Sequence, residues 1–110
     1  MSLSSAFTEL DHEEQARVLL VDDDEVNLLL TSIALRERGF AIFEASSGEG
    51  ALQQIGDVLP DVVVLNAVMP GLDGFDTCLE LRELPGFESI PVLMLTGLDD
   101  EASKIGRAHV

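Results

Sequence analysis

The apolar residues of this chain fall into short runs, separated by longer stretches of mixed apolar and polar character. Three of the runs are rich in β-branched and aliphatic residues and end at polar side chains or turn signals, a pattern that predicts strands, the first two of them buried on both faces. They cover residues 17–21, 62–65 and 91–96, and a further strand is expected over residues 40–45. Strands of this kind are typical of parallel sheets covered by helices.

The stretches between the strands carry helix signals. Asp24 is expected to cap a first helix over residues 25–38, and Gly39 stands where a left-handed residue would end it. Helical spacing predicts that this helix buries Val26, Leu29, Leu30 and Ile33.

Two more helices are expected before the last strand. Residues 46–49 have the spacing of a capping box and open a helix to about Ile55, followed by a loop over residues 56–60. The next helix is expected over residues 75–84, and Pro85 with Gly86 ends it. Its predicted inward residues are Phe75, Cys78 and Leu79.

A short fourth helix is expected after the last strand. Acidic charge near Asp99 suits a helix start, and Gly106 interrupts the helix and should make it weak. Strands and helices then alternate throughout, which predicts an α/β fold. Right-handed crossovers place helices on both faces of a parallel sheet.

Composition narrows the class of protein. The chain has 110 residues, enough for one small domain, and 21 Asp and Glu against six Lys and Arg give a net charge of −15. This charge argues against a nucleic-acid binder, which needs a basic face. The chain has no membrane-length apolar run and no signal peptide, and the single Cys78 cannot form an internal disulfide. A cytoplasmic protein without a membrane partner is therefore expected.

The first residues differ from the rest. Residues 1–16 hold four acidic side chains and no Lys or Arg, and they are expected to form an acidic leader before a folded domain over residues 17–110. Leu3, Phe7 and Leu10 stand at helical spacing. The segment is interpreted either as an inert leader or as a short amphipathic helix that docks on a partner or a second copy.

Polar side chains follow three of the predicted strands at their carboxyl ends. Asp22 and Asp23 follow the first strand, Asn66 the strand over 62–65, and Thr96 ends the last. In open α/β sheets, functional side chains lie at this edge. Clustered carboxylates repel each other and their oxygens suit Mg²⁺, so a metal site is favoured over helix capping, which Asp24 already provides.

The loop after Asn66 is expected to be a rigid scaffold beside this edge. Pro70 fixes φ, and Gly71 and Gly74 permit left-handed turns.

Three stretches in combination closely resemble the receiver domain of two-component response regulators, the CheY-like family. They are VDDDEVN at residues 21–27, LNAVMPGLDG at 65–74 and LTGLDD at 95–100. The resemblance covers about residue 17 to the chain end, and it implies a flavodoxin-like doubly wound parallel sheet of strand order 2-1-3-4-5. The family's fifth strand, which carries a Lys, and its fifth helix are expected to be missing, since the sequence stops before them.

The resemblance also implies roles for the polar residues. The family accepts a phosphoryl group on an Asp, where this sequence has Asn66. Beside position 66, Asp23 would bind Mg²⁺ directly, Asp22 mainly through water, and Val68 through its backbone carbonyl. Thr96 matches the switch hydroxyl that reaches the phosphoryl group, and its alternative role is a strand-end Thr bonded to local backbone. An amide is no nucleophile at neutral pH, and the lost charge should weaken Mg²⁺ binding.

Two interpretations of function result, both regulatory rather than enzymatic. The first is a receiver domain of a two-component phosphorelay that cannot be phosphorylated as written, with Asn66 either engineered or natural. The alternative is a phosphorylation-independent pseudo-receiver that acts as a protein-interaction module. A flavodoxin-like small-ligand domain is disfavoured, because the acidic side chains at this edge of the sheet would repel anions.

Partners are implied in the same way. The intact family member meets a histidine kinase or phosphotransfer protein, and an effector domain belongs to the full-length protein. An uncovered edge at residues 92–95 and a first helix without a packing partner predict self-association, with dimers favoured over monomers.

Overall fold

Strands and helices alternate along residues 15–95, the part of the chain that this computed structural model describes. The elements are β1 (Arg17–Val21), α1 (Glu25–Glu37), β2 (Ala41–Ala45), α2 (Gly48–Val58), β3 (Val62–Asn66), α3 (Gly74–Arg82) and β4 (Val92–Leu95). Thr96, the predicted fourth helix and nearly all of the acidic leader lie outside the described residues. Within residues 15–95, no helix is long and apolar enough to cross a lipid bilayer.

The strands form one parallel sheet in the order β2-β1-β3-β4, which confirms the predicted order 2-1-3-4. The central strand β1 pairs with both β2 and β3. The register sets Val21 of β1 beside Leu65 of β3. The next residue on each strand is Asp22 or Asn66, so the sheet itself makes these two residues neighbours.

Helices cover both faces of the sheet and divide the apolar core in two. Under α2 and α3 lies a cluster of Leu19, Val21, Ala45, Ala51, Ile55, Val63, Leu65, Met69 and Leu81. Under α1 lies a cluster of Val18, Leu20, Leu28, Ile42 and Val64. Successive residues of β1 and β3 therefore point to opposite faces. The prediction that these two strands are buried on both faces is confirmed.

The inward face of α1 differs from the predicted one. The residues predicted to be buried are 44–64% exposed, and they are Val26, Leu29, Leu30 and Ile33. The helix instead buries Leu28 and Ser32, with Leu35 partly buried against the same cluster. Apolar residues surround most of α1, so their spacing fits two faces and cannot select the buried one.

α1 and α2 both begin at a side-chain cap, as the sequence predicted. Asp24 caps α1 as predicted, and Gly39 beyond its end has a φ of +97°. α2 begins one residue later than its capping-box spacing predicted. Ser47 caps it in place of Ser46, and its Oγ accepts a hydrogen bond from the Gly50 N–H at 2.9 Å.

α2 also extends into residues that were predicted to be a loop. It runs to Val58, so that Gly56 lies within the helix, and Leu59 ends it in a left-handed conformation with a φ of 51°. The residue before a proline avoids the helical region. Pro60 rather than Gly56 therefore sets the end of the helix.

α3 turns small and polar residues towards the core. Its buried residues are Gly74, Thr77 and Leu81. Phe75 and Leu79 are 53% and 67% exposed, so their predicted inward placement is wrong, whereas Cys78 packs against the core as predicted. Spacing of large apolar residues missed this face because two of its three residues are not apolar.

Among the residues that the structure describes, only one face of β4 is covered. Val92 and Met94 pack against the cluster under α2 and α3. Leu93 and Leu95, on the other face, are 55% and 38% exposed. The predicted strand is therefore confirmed, with one of its faces exposed.

Candidate functional site

Three predicted site residues meet at the edge of the sheet where β1 and β3 end. Asp22 and Asp23 directly follow β1, and Asn66 is the last residue of β3. Sheet pairing continues past β1, since the Asp22 N–H donates to the carbonyl of Ala45 at 3.1 Å. We call Asp22, Asp23 and Asn66 the acidic pocket.

The side-chain amide of Asn66 joins the three residues of the acidic pocket. Its Nδ2 donates to Asp22 Oδ1 at 3.1 Å and to Asp23 Oδ1 at 3.4 Å. Its Oδ1 accepts a hydrogen bond from the backbone N–H of Val68 at 3.3 Å. The amide thus links two carboxylates on β1 to the loop that follows β3.

The hydrogen-bond chemistry allows only this orientation of the amide. An ionised carboxylate can only accept, and a backbone N–H can only donate. The NH₂ group of Asn66 must therefore face Asp22 and Asp23, and its oxygen must face Val68. The opposite orientation would set acceptor against acceptor and donor against donor.

Neighbouring backbone groups hold Asp22 in place. Its Oδ1 also accepts a hydrogen bond from the N–H of Asp24 at 2.9 Å. Asp24 turns its own carboxylate to the start of α1, where it accepts from the N–H groups of Val26 and Asn27. Asp24 is therefore a cap, as predicted, and the side chain of Asp23 is left for the acidic pocket.

The loop after β3 is fixed from both sides. The Ala67 N–H donates to the carbonyl of Leu95 at 2.8 Å, and the Gly74 N–H donates to the carbonyl of Ala67 at 3.1 Å. Gly71 has a φ of +72°, as its predicted turn requires. Gly74 does not have a positive φ, and it is needed for space: a Cβ there would overlap the carbonyl oxygen of Asn66 and lie 2.8 Å from Ala67 Cα.

The acidic pocket has the donor types of a Mg²⁺ site, but not the arrangement. Two carboxylates, an amide oxygen and a backbone carbonyl are hard ligands of the kind that Mg²⁺ prefers. However, the point on which Asp22 Oδ1 and Asp23 Oδ1 converge is the amide nitrogen of Asn66, which is no ligand for such an ion. Between residues 15 and 95, no three carboxylate, imidazole or thiol side chains converge as a metal cluster would require.

The predicted site residues are thus brought together in part. Asp22, Asp23 and Asn66 lie in contact, and Val68 reaches Asn66 through its N–H. Thr96 falls outside the described residues. Sequence analysis missed the packing of Gly74 against Asn66, and the only signal was the Asp-Gly pair at the start of α3.

Comparison with known proteins agrees with this architecture. Residues 18–108 match the family described as the response regulator receiver domain. The chain is 38% identical over 90 residues to the response regulator PleD of Caulobacter vibrioides, covering 82% of this chain and 20% of PleD. It is 32% identical over 90 residues to protein PilH of Pseudomonas aeruginosa, covering 82% of this chain and 74% of PilH.

The fold matches solved structures as well. The chemotaxis response regulator CheY4 of Vibrio cholerae superimposes with a TM-score of 0.73 at 29% identity, covering 86% of this chain and 79% of that one. The chain spans only about a fifth of the length of PleD, but most of the length of PilH. The family match covers well over half of the chain, and the sheet order and the acidic edge agree with it. The chain therefore belongs to the response regulator receiver domain family of two-component systems.

Proposed function

We propose that this receiver domain cannot be phosphorylated at its usual acceptor position. The observation that carries the proposal is Asn66 at the end of β3, with its amide nitrogen turned towards Asp22 and Asp23. Covalent phosphoryl transfer to this position needs a carboxylate oxygen as nucleophile. An amide nitrogen that donates to two carboxylates offers N–H groups where a nucleophile would be required.

Weak Mg²⁺ binding is part of the proposal. The groups that would hold the ion are Asp23 directly, Asp22 through water and the backbone carbonyl of Val68, beside position 66. A bound Mg²⁺ supplies positive charge against phosphoryl oxygens. With an amide at position 66, the acidic pocket has one negative charge fewer than with a carboxylate, so its attraction for a divalent ion is smaller. For Thr96, next after β4, we propose the role of switch hydroxyl.

The proposed partners are those of two-component signalling. In the intact family member, a histidine kinase or phosphotransfer protein delivers the phosphoryl group to position 66. An effector domain in the full-length protein would carry the output. The net charge of −15 supports the absence of nucleic-acid and membrane partners, and we propose a cytoplasmic location. We keep the division into a leader over residues 1–16 and a receiver domain from residue 17, which the family match from residue 18 supports.

A second candidate is a pseudo-receiver that signals by protein contact alone. The observation that favours it is the outward apolar face of α1, whose four large residues are 44–64% exposed. An exposed apolar surface of this kind is typical of a protein-interaction site, and it does not depend on phosphate. The native residue at position 66 separates the two candidates: Asp would mean that phosphorylation is the natural signal, and Asn would mean that it is not.

Chemical phosphorylation tests the first proposal. The protein is incubated with acetyl phosphate and Mg²⁺, and its intact mass is measured before and after treatment with hydroxylamine. No phosphoryl adduct is expected on the present sequence. Asn66→Asp in the full-length protein is expected to gain an adduct that hydroxylamine removes, because the carboxylate nucleophile is restored.

Asn27→Asp is the matched control for this experiment. It introduces the same new carboxylate on an exposed residue of the first turn of α1. It is expected to remain unmodified. A hydroxylamine-labile adduct on the present sequence would contradict the proposal.

A further inference from the structure

In the acidic pocket, a side chain of the protein itself offsets the repulsion between Asp22 and Asp23. Two carboxylates at the end of β1 converge on one point, an arrangement that normally calls for a cation. That point is the Nδ2 atom of Asn66, at 3.1 Å from Asp22 and 3.4 Å from Asp23. An amide NH₂ has two N–H bonds, one for each carboxylate.

We propose that the side-chain amide of Asn66 takes the place of the divalent cation, holding Asp22 and Asp23 together in its absence and competing with its entry. This proposal rests on the assignment of position 66 as the acceptor position of a receiver. It goes further than loss of phosphorylation, because it gives Asn66 a positive role in the pocket. Asn66 acts here as a positioning residue.

The contacts of Asn66 make this role incompatible with cation binding. For its oxygen to become a ligand, the amide must rotate so that Oδ1 faces the carboxylates. Nδ2 would then face the Val68 N–H, which at present donates to Oδ1 at 3.3 Å. Rotation therefore breaks all three hydrogen bonds and opposes two donors, so the hydrogen-bonded amide and a cation ligated by the Asn66 oxygen exclude each other.

The hydrogen bond to Val68 extends the effect beyond the pocket. Through it, the same amide that holds the two carboxylates also fixes the first turn of the loop after β3. Backbone bonds from Ala67 to Leu95 and from Gly74 to Ala67 tie this loop to β4 and to the start of α3. The loop is therefore held by these hydrogen bonds without Mg²⁺.

The sharpest test compares Asn66→Ala with the present sequence. If the Asn66 oxygen were a ligand, removing it would weaken Mg²⁺ binding. If the amide competes with the ion, removing it strengthens binding although the pocket has fewer oxygens. We expect the dissociation constant for Mg²⁺, measured by calorimetry, to fall at least about threefold in Asn66→Ala, and at least about tenfold in Asn66→Asp, which also adds a charge.

Two readouts that need no phosphorylation accompany the calorimetry. In ¹⁵N-labelled protein, the side-chain NH₂ signals of Asn66 are expected to stay unchanged at the Mg²⁺ concentrations that saturate Asn66→Asp. The melting temperature is expected to rise less with Mg²⁺ for the present sequence than for Asn66→Asp, because a ligand that binds the native state more tightly stabilises it more. Asn27→Asp is the charge control, and its melting temperature is expected to depend on Mg²⁺ no more than that of the present sequence.

Two results would overturn the proposal. One is weaker Mg²⁺ binding by Asn66→Ala than by the present sequence. The other is a shift of the Asn66 NH₂ signals of the present sequence at the Mg²⁺ concentrations at which Asn66→Asp binds the ion. Neither result bears on the proposed lack of phosphorylation, which only a phosphoryl adduct on the present sequence would contradict.

Discussion

Gly74, the first residue of α3, lies against the backbone carbonyl of Asn66 with no room for a side chain. A Cβ at this position would overlap the Asn66 oxygen and would stand 2.8 Å from Ala67 Cα and 2.9 Å from the sulfur of Met94. The Gly74 N–H donates to the carbonyl of Ala67 at 3.1 Å. The start of α3 at Gly74 is thus packed directly against the backbone of Asn66, the central residue of the acidic pocket.

Gly74→Ala is expected to lower the free energy of unfolding by about 2 kcal/mol, because backbone atoms must move to admit the methyl group. Urea unfolding measures this change. Gly56→Ala is the matched control: it lies inside α2 with no atom within 4 Å of the added Cβ. That control should gain about 0.5–1 kcal/mol from better helix propensity. Equal stability of the two variants would contradict the packing argument.

Two fully buried hydroxyl groups give opposite predictions. Among residues 15–95, Ser32 Oγ finds no hydrogen-bond partner, whereas Thr77 Oγ1 donates to the carbonyl of Asp73 at 2.6 Å. A buried polar group without a partner destabilises the folded state, so Ser32→Ala is expected to raise the free energy of unfolding by about 1 kcal/mol. Thr77→Val keeps the size of the side chain but loses the hydrogen bonds of the hydroxyl to the carbonyls of Asp73 and Leu72, and it should lower that free energy by about 1 kcal/mol. Thermal or urea unfolding of both variants tests the pair, and a less stable Ser32→Ala would mean that its hydroxyl has a partner.

Arg17 joins three elements at the opposite edge of the sheet from the acidic pocket. Its Nε donates to the carbonyl of Val58 at the end of α2 at 2.8 Å, and its guanidinium lies 4.8 Å from the ring centre of Phe43. Arg17→Ala is therefore expected to lower the free energy of unfolding by about 1 kcal/mol, from lost helix-end and cation–π interactions. Arg38→Ala, at the exposed end of α1, removes the same charge and should change stability by no more than about 0.5 kcal/mol. A similar loss in both variants would assign the effect to net charge rather than to these contacts.

The sheet and the acidic edge could be predicted from the sequence because few physical alternatives existed. The apolar runs that became β1 and β3 are too short and too uniformly apolar for surface helices, and parallel strands end at one edge. Asp22, Asp23 and Asn66 had to meet once those strands were neighbours. That these two strands are neighbours followed from the resemblance to receiver domains rather than from the apolar pattern.

The helix faces and the amide orientation could not be predicted in this way. α1 has apolar residues on more than one side, so packing rather than spacing decides that Leu28 and Ser32 face inward. α3 approaches α2 closely through Gly48 and Thr77, which a search for large apolar residues passes over. The direction of the Asn66 amide depends on the Val68 N–H, and only the folded loop brings that group to it.

The last prediction concerns the outward apolar face of α1. It is formed by Val26, Leu29, Leu30 and Ile33, and residues 26–35 contain no charged side chain. Leu93 pairs with Val64, whose side chain packs under α1, so the exposed Leu93 lies on the same side of the sheet as α1. Two copies of a chain with a net charge of −15 repel each other, and they can approach most easily where charge is absent.

A second copy is therefore the expected partner of this face, in a two-fold arrangement where the same surface meets itself. Light scattering coupled to size exclusion should show a mass that rises with protein concentration and with salt, because salt screens the repulsion between copies. Leu30→Asn with Ile33→Asn should shift the protein to a monomer without unfolding it, since both side chains are exposed. Leu79→Asn is the matched control, because Leu79 is 67% exposed on α3, over the other face of the sheet. A monomer at every concentration, or an equal effect of the control, would show that α1 does not mediate self-association.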